Sequence, residues 1–175
     1  MTLIAWAVMA MTAGPALAIT GAPEIGVQQA PWQAAVRSPT DGCGAVIIDA
    51  NRVLTAAHCA TAAPGTLQVS AGTSSFPTLT TGAQTVPVAN ARIHPYHQID
   101  ERGQEVGDDI AVLELARPLT LGSPTVQPIA LVPQGPKLPA GTPLTISGYG
   151  HIQSLPAARG QGPLRAGPSV AAGPE

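Results

Sequence analysis

The chain has 175 residues, of which 45% are hydrophobic, 10% charged and 3% aromatic, and its net charge is −2. That is single-domain length with enough apolar residues for a core, while the small negative charge, without a basic patch or an aromatic platform, excludes a nucleic-acid partner. Nineteen glycines and 19 prolines disfavour long helices and favour short strands joined by turns.

Residues 1–18 form an apolar run ending Ala16-Leu17-Ala18, which fits the apolar region and A-x-A cleavage site of a signal peptide. Gly14-Pro15 breaks the helix just before the cut, whereas a transmembrane anchor needs about 20 unbroken apolar residues. A positive leader region is missing, because no Lys or Arg precedes Arg37. Cleavage after Ala18 leaves 157 residues starting at Ile19, secreted to an extracellular or periplasmic space and free of the membrane.

Trp32–Val36 suits a strand. Asp41-Gly42 is a turn signal, Cys43–Ile48 reads as a buried strand, Asp49-Ala50-Asn51 turns the chain, and Arg52–Thr55 returns. This hairpin delivers Ala56–Cys59 at its end. Ala57–Ala63 gives one helical turn, and Thr66–Ala71 alternates with the strand period. Gly82–Ile93 is a longer strand in which Pro87 marks an edge or a bulge. Asp109–Leu115 is a strand of mixed burial that ends at Arg117-Pro118. Residues 116–141 are Pro-rich and extended, and Thr142–Ser147 is one more strand. Many short strands with turn chemistry predict an all-β barrel. From Pro156 the character changes: 13 of the last 20 residues are Ala, Gly or Pro, and none is aromatic. Such a segment buries too little apolar surface to offset its ordering entropy, so it is expected to be disordered. A frameshift in a GC-rich gene would produce the same composition.

The stretch with most chemical content is Leu54-Thr55-Ala56-Ala57-His58-Cys59. Imidazole moves protons near neutral pH, and small neighbours let backbone and substrate approach it. Taken alone, the pair also fits a buried structural histidine beside a buried cysteine. Two cysteines in an exported protein read as one disulfide or as two buried thiols, and two alone cannot complete a zinc site.

The hexapeptide resembles the histidine motif of the trypsin/chymotrypsin-like serine endopeptidases, and other landmarks fall in that family's order. Ile19-Thr20-Gly21-Ala22 resembles the mature amino terminus, and Ala30-Pro31-Trp32-Gln33 the entry to the first barrel. Cys43-Gly44-Ala45-Val46-Ile47-Ile48 resembles the strand carrying the half-cystine partner of the Cys after the catalytic His. Asp108-Asp109-Ile110-Ala111-Val112-Leu113 resembles the segment with the catalytic Asp, and Ile146-Ser147-Gly148-Tyr149-Gly150 the Gly-aromatic-Gly that starts the second barrel. The resemblance covers roughly residues 19–153.

It implies an all-β, trypsin-like antiparallel barrel over residues 19–135, the first of a two-barrel fold, then a linker and first strand of the second barrel over 136–155, with a disordered or frameshifted tail over 156–175. It implies His58 as general base, Asp109 as the group orienting it (with Asp108 as its rival), and a Cys43–Cys59 disulfide around the histidine. The family's nucleophile sits in Gly-Asp-Ser-Gly-Gly, and no such string occurs here. After Asp109 the serines are Ser123, Ser147, Ser154 and Ser169, and none is assigned the role. The oxyanion donors, the specificity pocket and the Asp that receives the Ile19 amine belong to the absent segment. His94-Pro95-Tyr96-His97 matches a family loop rather than a metal site, and the Gly72–Gly82 loop has no acid for calcium. Glu101, Glu105 and Asp108 read as solvated loop acids. No metal and no cofactor is expected.

The expected function is therefore that of a secreted serine endopeptidase acting on protein or peptide substrates through an acyl-enzyme, truncated before its serine and inactive as it stands. The alternative is a non-catalytic protease homologue that binds a partner, or itself, through an exposed apolar barrel face. A separately encoded second barrel would be a third arrangement.

Overall fold

A computed structural model describes residues 22–40, 42–135, 137–149 and 162–171. The signal-peptide reading of residues 1–18, Ile19 as amino terminus and Ser154 lie outside the described residues. The strands are β1 (Gln33–Arg37), β2 (Gly42–Asp49), β3 (Arg52–Thr55), β4 (Gln68–Ala71), β5 (Ser75–Phe76), β6 (Gln84–Ile93), β7 (Gln98–Ile99), β8 (Glu105–Val106), β9 (Ala111–Leu115), β10 (Pro143–Tyr149) and β11 (Gly162–Val170). Three short 3₁₀ turns, and no α-helix, accompany them among the described residues. None of these residues forms a helix long and apolar enough to cross a membrane.

Six strands close into an antiparallel barrel in the order β1-β2-β3-β9-β6-β4. Closure pairs both edges of every barrel strand, so no ladder is left open. The inward positions follow the strand period. Ala111, Leu113 and Leu115 of β9 are buried while Val112 and Glu114 between them are half-exposed. They meet Val36, Ile47, Val53, Val69, Val86 and Val88 in a core with no aromatic ring. Ala50 and Asn51 make the predicted turn, with the Asn51 N–H donating to Asp49 Oδ1 at 2.8 Å.

Pro87 does not mark an edge. β6 pairs with β4 on one side and β9 on the other, and a bulge follows the proline between Val88 and Asn90. Pro87 is tolerated because its carbonyl still accepts a bond from the Ala116 N–H at 2.9 Å, while a missing N–H costs little beside a bulge.

β1 is buried on both faces. Ala34 and Val36 enter the barrel core, while Ala35 joins an outer cluster with Val27, Ala30, Phe76, Tyr149 and Leu164. That cluster lies under a three-stranded sheet of order β10-β11-β5. Phe76 and Tyr149 pack with ring centroids 6.1 Å apart, and the Tyr149 hydroxyl donates to the Thr73 carbonyl at 3.0 Å.

The expectation of disorder from Pro156 onward does not hold for residues 162–170, which form β11. It pairs with β10 from Pro143↔Val170 to Tyr149↔Leu164. Composition misleads here because the ladder satisfies the backbone and one side chain supplies the anchor: Leu164 is fully buried. The segment also clamps residues 22–25. The Ile25 N–H donates to the Leu164 carbonyl at 2.9 Å, and the buried Arg165 guanidinium donates to the Ala22 carbonyl and, at 2.7 Å, to the Glu24 carboxylate. The region after the barrel therefore holds a strand pair where one strand was expected.

Replacing Leu164 with Ala tests this packing. It should lower unfolding free energy by about 2–5 kcal/mol, the range for a buried Leu truncated in a core. A urea midpoint that stays at the wild-type value would show that the segment contributes nothing to the folded state.

Candidate active site

The site is built where β3 ends and β9 begins. Thr55 lies opposite Ala111 in their ladder, so the residues after Thr55 and those before Ala111 leave the barrel side by side. The Thr55 hydroxyl donates to the Gly44 carbonyl at 2.8 Å and fixes the exit from β3. Ala57–Ala60 then makes a 3₁₀ turn whose small side chains, Ala57 and Ala60, are buried. His58 and Cys59 are carried on that turn.

Cys43 of β2 and Cys59 form a disulfide with Cα atoms 6.2 Å apart across 16 residues of sequence. In the chain-entropy account, closing a loop of this length stabilises the fold by roughly 3 kcal/mol. Its local effect is to tie the histidine turn to the neighbouring strand.

Asp109 reaches His58 twice. Its Oδ2 lies 2.8 Å from His58 Nδ1, and its Oδ1 accepts the His58 backbone N–H at 3.0 Å. The ring geometry selects the tautomer with hydrogen on Nδ1, which leaves Nε2 as an acceptor. The backbone N–H of His58, with the imidazole beside it, holds the Asp109 carboxyl below the usual carboxylate range. Both side chains remain partly in water, with His58 43% and Asp109 34% exposed.

Asp108, the rival, points elsewhere: its Oδ2 lies 3.3 Å from His94 Nδ1. Its side chain is 58% exposed, and of the two neighbours Asp109 is the one brought to His58. His97, read in the sequence as part of a loop, has a buried ring with Nδ1 3.9 Å from Asp109 Oδ1. Ser147 lies in β10 and donates its hydroxyl to Gln33 Oε1 at 2.9 Å, Ser123 sits in a turn bonded to the Val126 N–H, and Ser169 is in β11 opposite Leu144.

Gly107 is a residue whose importance the sequence does not signal. It has φ +84°, and a Cβ there would fall on the Tyr96 carbonyl oxygen. Only glycine lets the 96–97 segment and the approach to Asp109 cross so closely.

Two hollows flank the dyad. One, of about 490 Å³, is lined by His58, the disulfide, Ser38, Thr40 and Ala62. The other, of about 670 Å³, runs between the barrel and β10 past Asp109, Ile110, Ile129 and Ile146. Among the described residues, Cys43, His58 and Cys59 are a group of candidate metal ligands with donor atoms within 4.8 Å of one another. With both sulfurs in the disulfide, the thiolates that would bind zinc are consumed.

The trypsin family model matches residues 19–163. The chain belongs to the trypsin family. The match runs on through the Gly-aromatic-Gly segment to within β11. Among its relatives, the chain is 36% identical over 131 residues to trypsin iota of Drosophila melanogaster, covering 73% of this chain and 47% of that protein. It is 30% identical over 125 residues to trypsin Blo t 3 of Blomia tropicalis, covering 71% of this chain and 45% of the relative. The chain thus spans about half the length of the curated relatives it matches. Among solved structures, the scabies mite inactivated protease paralogue S-D1 superposes with a TM-score of 0.73 at 25% identity, over 87% of this chain and 63% of that one.

Two outcomes follow for this trypsin-family dyad. Gly107→Ala should displace Asp109 and weaken the His58 Nδ1–H signal at low field in proton NMR, while barrel amide shifts stay in place; an unmoved signal would show that the crossing does not position the acid. Asp109→Asn should be less stable than the parent at neutral pH. Because the folded carboxyl is held low, its contribution is present above the unfolded value of about 4 and is lost as pH falls through the folded value. The stability gap between the two proteins should therefore close on acidification below about pH 4. A gap that is constant between neutral pH and strong acid, read by urea unfolding, would assign the loss to packing instead.

Proposed function

We propose that this chain is the amino-terminal part of a secreted serine endopeptidase, with His58 as general base and Asp109 as the group that orients it. One observation carries the reading: the Asp109 carboxylate holds the imidazole at Nδ1 and the turn beneath it at the His58 N–H. In peptide-bond hydrolysis by this chemistry, Nε2 of His58 takes the proton of an attacking serine and later gives it to the leaving amine. Asp109 keeps the productive tautomer and stabilises the imidazolium. The apolar run at residues 1–18 and the disulfide support export to an oxidising compartment.

Residues 1–175 hold no Gly-Asp-Ser-Gly-Gly; of the described serines after Asp109, Ser147 bonds to Gln33, Ser123 to the Val126 N–H, and Ser169 lies in β11. In this reading residues 1–175 supply the base and its orienter, while the nucleophile, oxyanion donors and specificity pocket would come from the Gly-Asp-Ser-Gly-Gly segment that this sequence does not contain. A second reading, a binding module derived from a protease, is favoured by the groove beside β10, where Ile110 and Ile146 are exposed.

Purified 175-residue protein incubated with casein or a broad peptide mixture should show no turnover above background, and a serine-directed phosphonate should label nothing. Turnover that the phosphonate abolishes would overturn the reading, since it would require a nucleophile that no assigned serine provides.

A further inference from the structure

The disulfide, the base and its carboxylate form one cluster, and its donor set changes when the disulfide opens. We propose that the reduced protein is a chelating site for one thiophilic divalent cation, held by the Cys43 and Cys59 thiolates and by Nε2 of His58, with Asp109 as the outer-sphere partner of the imidazole.

Four observations place the ligands. The sulfurs of Cys43 and Cys59 and one ring nitrogen of His58 already lie within 4.8 Å of one another. The Cα atoms of the two cysteines are 6.2 Å apart, so two thiolates can part from a bonded pair to metal-ligand spacing by side-chain rotation alone. His58 Nδ1 is occupied by Asp109 Oδ2 at 2.8 Å, leaving Nε2 as the free lone pair. A histidine whose other nitrogen donates to a carboxylate is the arrangement that fixes the tautomer and raises ligand basicity at zinc centres. The three ligands also border the hollow of about 490 Å³, which leaves room for a fourth ligand from solvent. Soft thiolates with imidazole select zinc or cobalt over magnesium or calcium.

The chemistry balances in two steps. A phosphine attacks the disulfide, two electrons pass from phosphorus to sulfur, and water supplies the oxygen of the phosphine oxide and the two protons of the thiols. The cation then displaces those two protons as both sulfurs and Nε2 bind. The Nε2 lone pair used here is the one that the proposed general base needs. Metal binding and proton transfer therefore exclude each other, and that consequence alone rests on the functional reading above. The binding itself does not.

The test uses the whole chain, reduced with a water-soluble phosphine without oxygen and titrated with cobalt(II). Reduced protein should take up one cobalt per chain, with a thiolate-to-cobalt charge-transfer band and the intense visible bands of a tetrahedral centre. The disulfide form should show neither. His58→Ala should weaken binding at least about tenfold and alter the visible bands, and Asp109→Asn should weaken it by about 10–100-fold. Zinc should displace cobalt and shift the His58 Nε2 resonance in nitrogen NMR. The proposal is overturned if reduced protein binds no cobalt. It is also overturned if His58→Ala and the parent bind with the same affinity and spectrum, since chelation by two cysteines of an unfolded chain would give that result.

Discussion

The register between β3 and β9 is the constraint on which the site depends. Val53 stands opposite Leu113, both fully buried, and Arg52 stands opposite Glu114 on the outer face. A slip of β9 by one residue would expose Leu113 to water and carry Glu114 into the core, so burial forbids it. The site inherits this precision. With Thr55 locked opposite Ala111, His58 and Asp109 leave adjacent strand ends although 51 residues separate them in sequence. A strand slipped by one residue moves by about 3.4 Å and reverses its side chains. That displacement exceeds the tolerance of a 2.8 Å contact between Asp109 and the imidazole. The core thus sets the geometry of the pair through strand register, with neither His58 nor Asp109 contributing to the barrel interior.

β1 transmits the same order outward. Its inward residues complete the barrel, while Gln33 and Ala35 on its other face receive the β10-β11 pair. Gln33 is the polar member of this contact and is well satisfied: its amide nitrogen donates to the Ala45 carbonyl at 3.2 Å, and its oxygen accepts from Ser147 at 2.9 Å. A buried amide bonded on both sides specifies one register of β10 against β1, because any other leaves it unsatisfied. Ser147, which the sequence offers as a serine after the acid, is in this way a packing residue.

Much of the barrel was legible because its signals are local. Turn residues Asp49–Asn51 between two apolar runs define the β2-β3 hairpin, and the structure places those strands within two residues of the expected bounds. His58 and Cys59 stand out by their neighbours. The choice of Asp109 over Asp108 was legible only through family resemblance, since both are acids at a strand entry and nothing in periodicity separates them. β5, β7 and β8 have two residues each, too few to show any period. β11 was hidden for a different reason. Its Gly and Pro content reads as disorder, while what orders it is long-range: a ladder to β10, Leu164 in a cluster built by β1 and β5, and Arg165 holding residues 22 and 24. Gly107 and His97 were silent because their roles arise from a crossing of loops that only tertiary structure creates.

The exposure of the dyad separates two properties that a working active site combines. Orientation is complete here: one acid, one tautomer, and a turn tethered by a disulfide. Electrostatic insulation is not, with 43% of the His58 side chain and 34% of Asp109 open to water. Between charges a few ångströms apart, coupling is about 1 kcal/mol in bulk water and about 4 kcal/mol at the effective dielectric near a protein surface. An apolar surface laid over Ile110 and Ile146 would cover the groove that runs past Asp109 and move the pair toward the stronger regime without shifting an atom of the barrel. The half-site is thus preorganised in geometry by its own strands, whereas the strength of its field is left to whatever covers that groove. Orientation of the pair therefore does not depend on the groove being covered, because it is held in place by the same burial that stabilises the barrel.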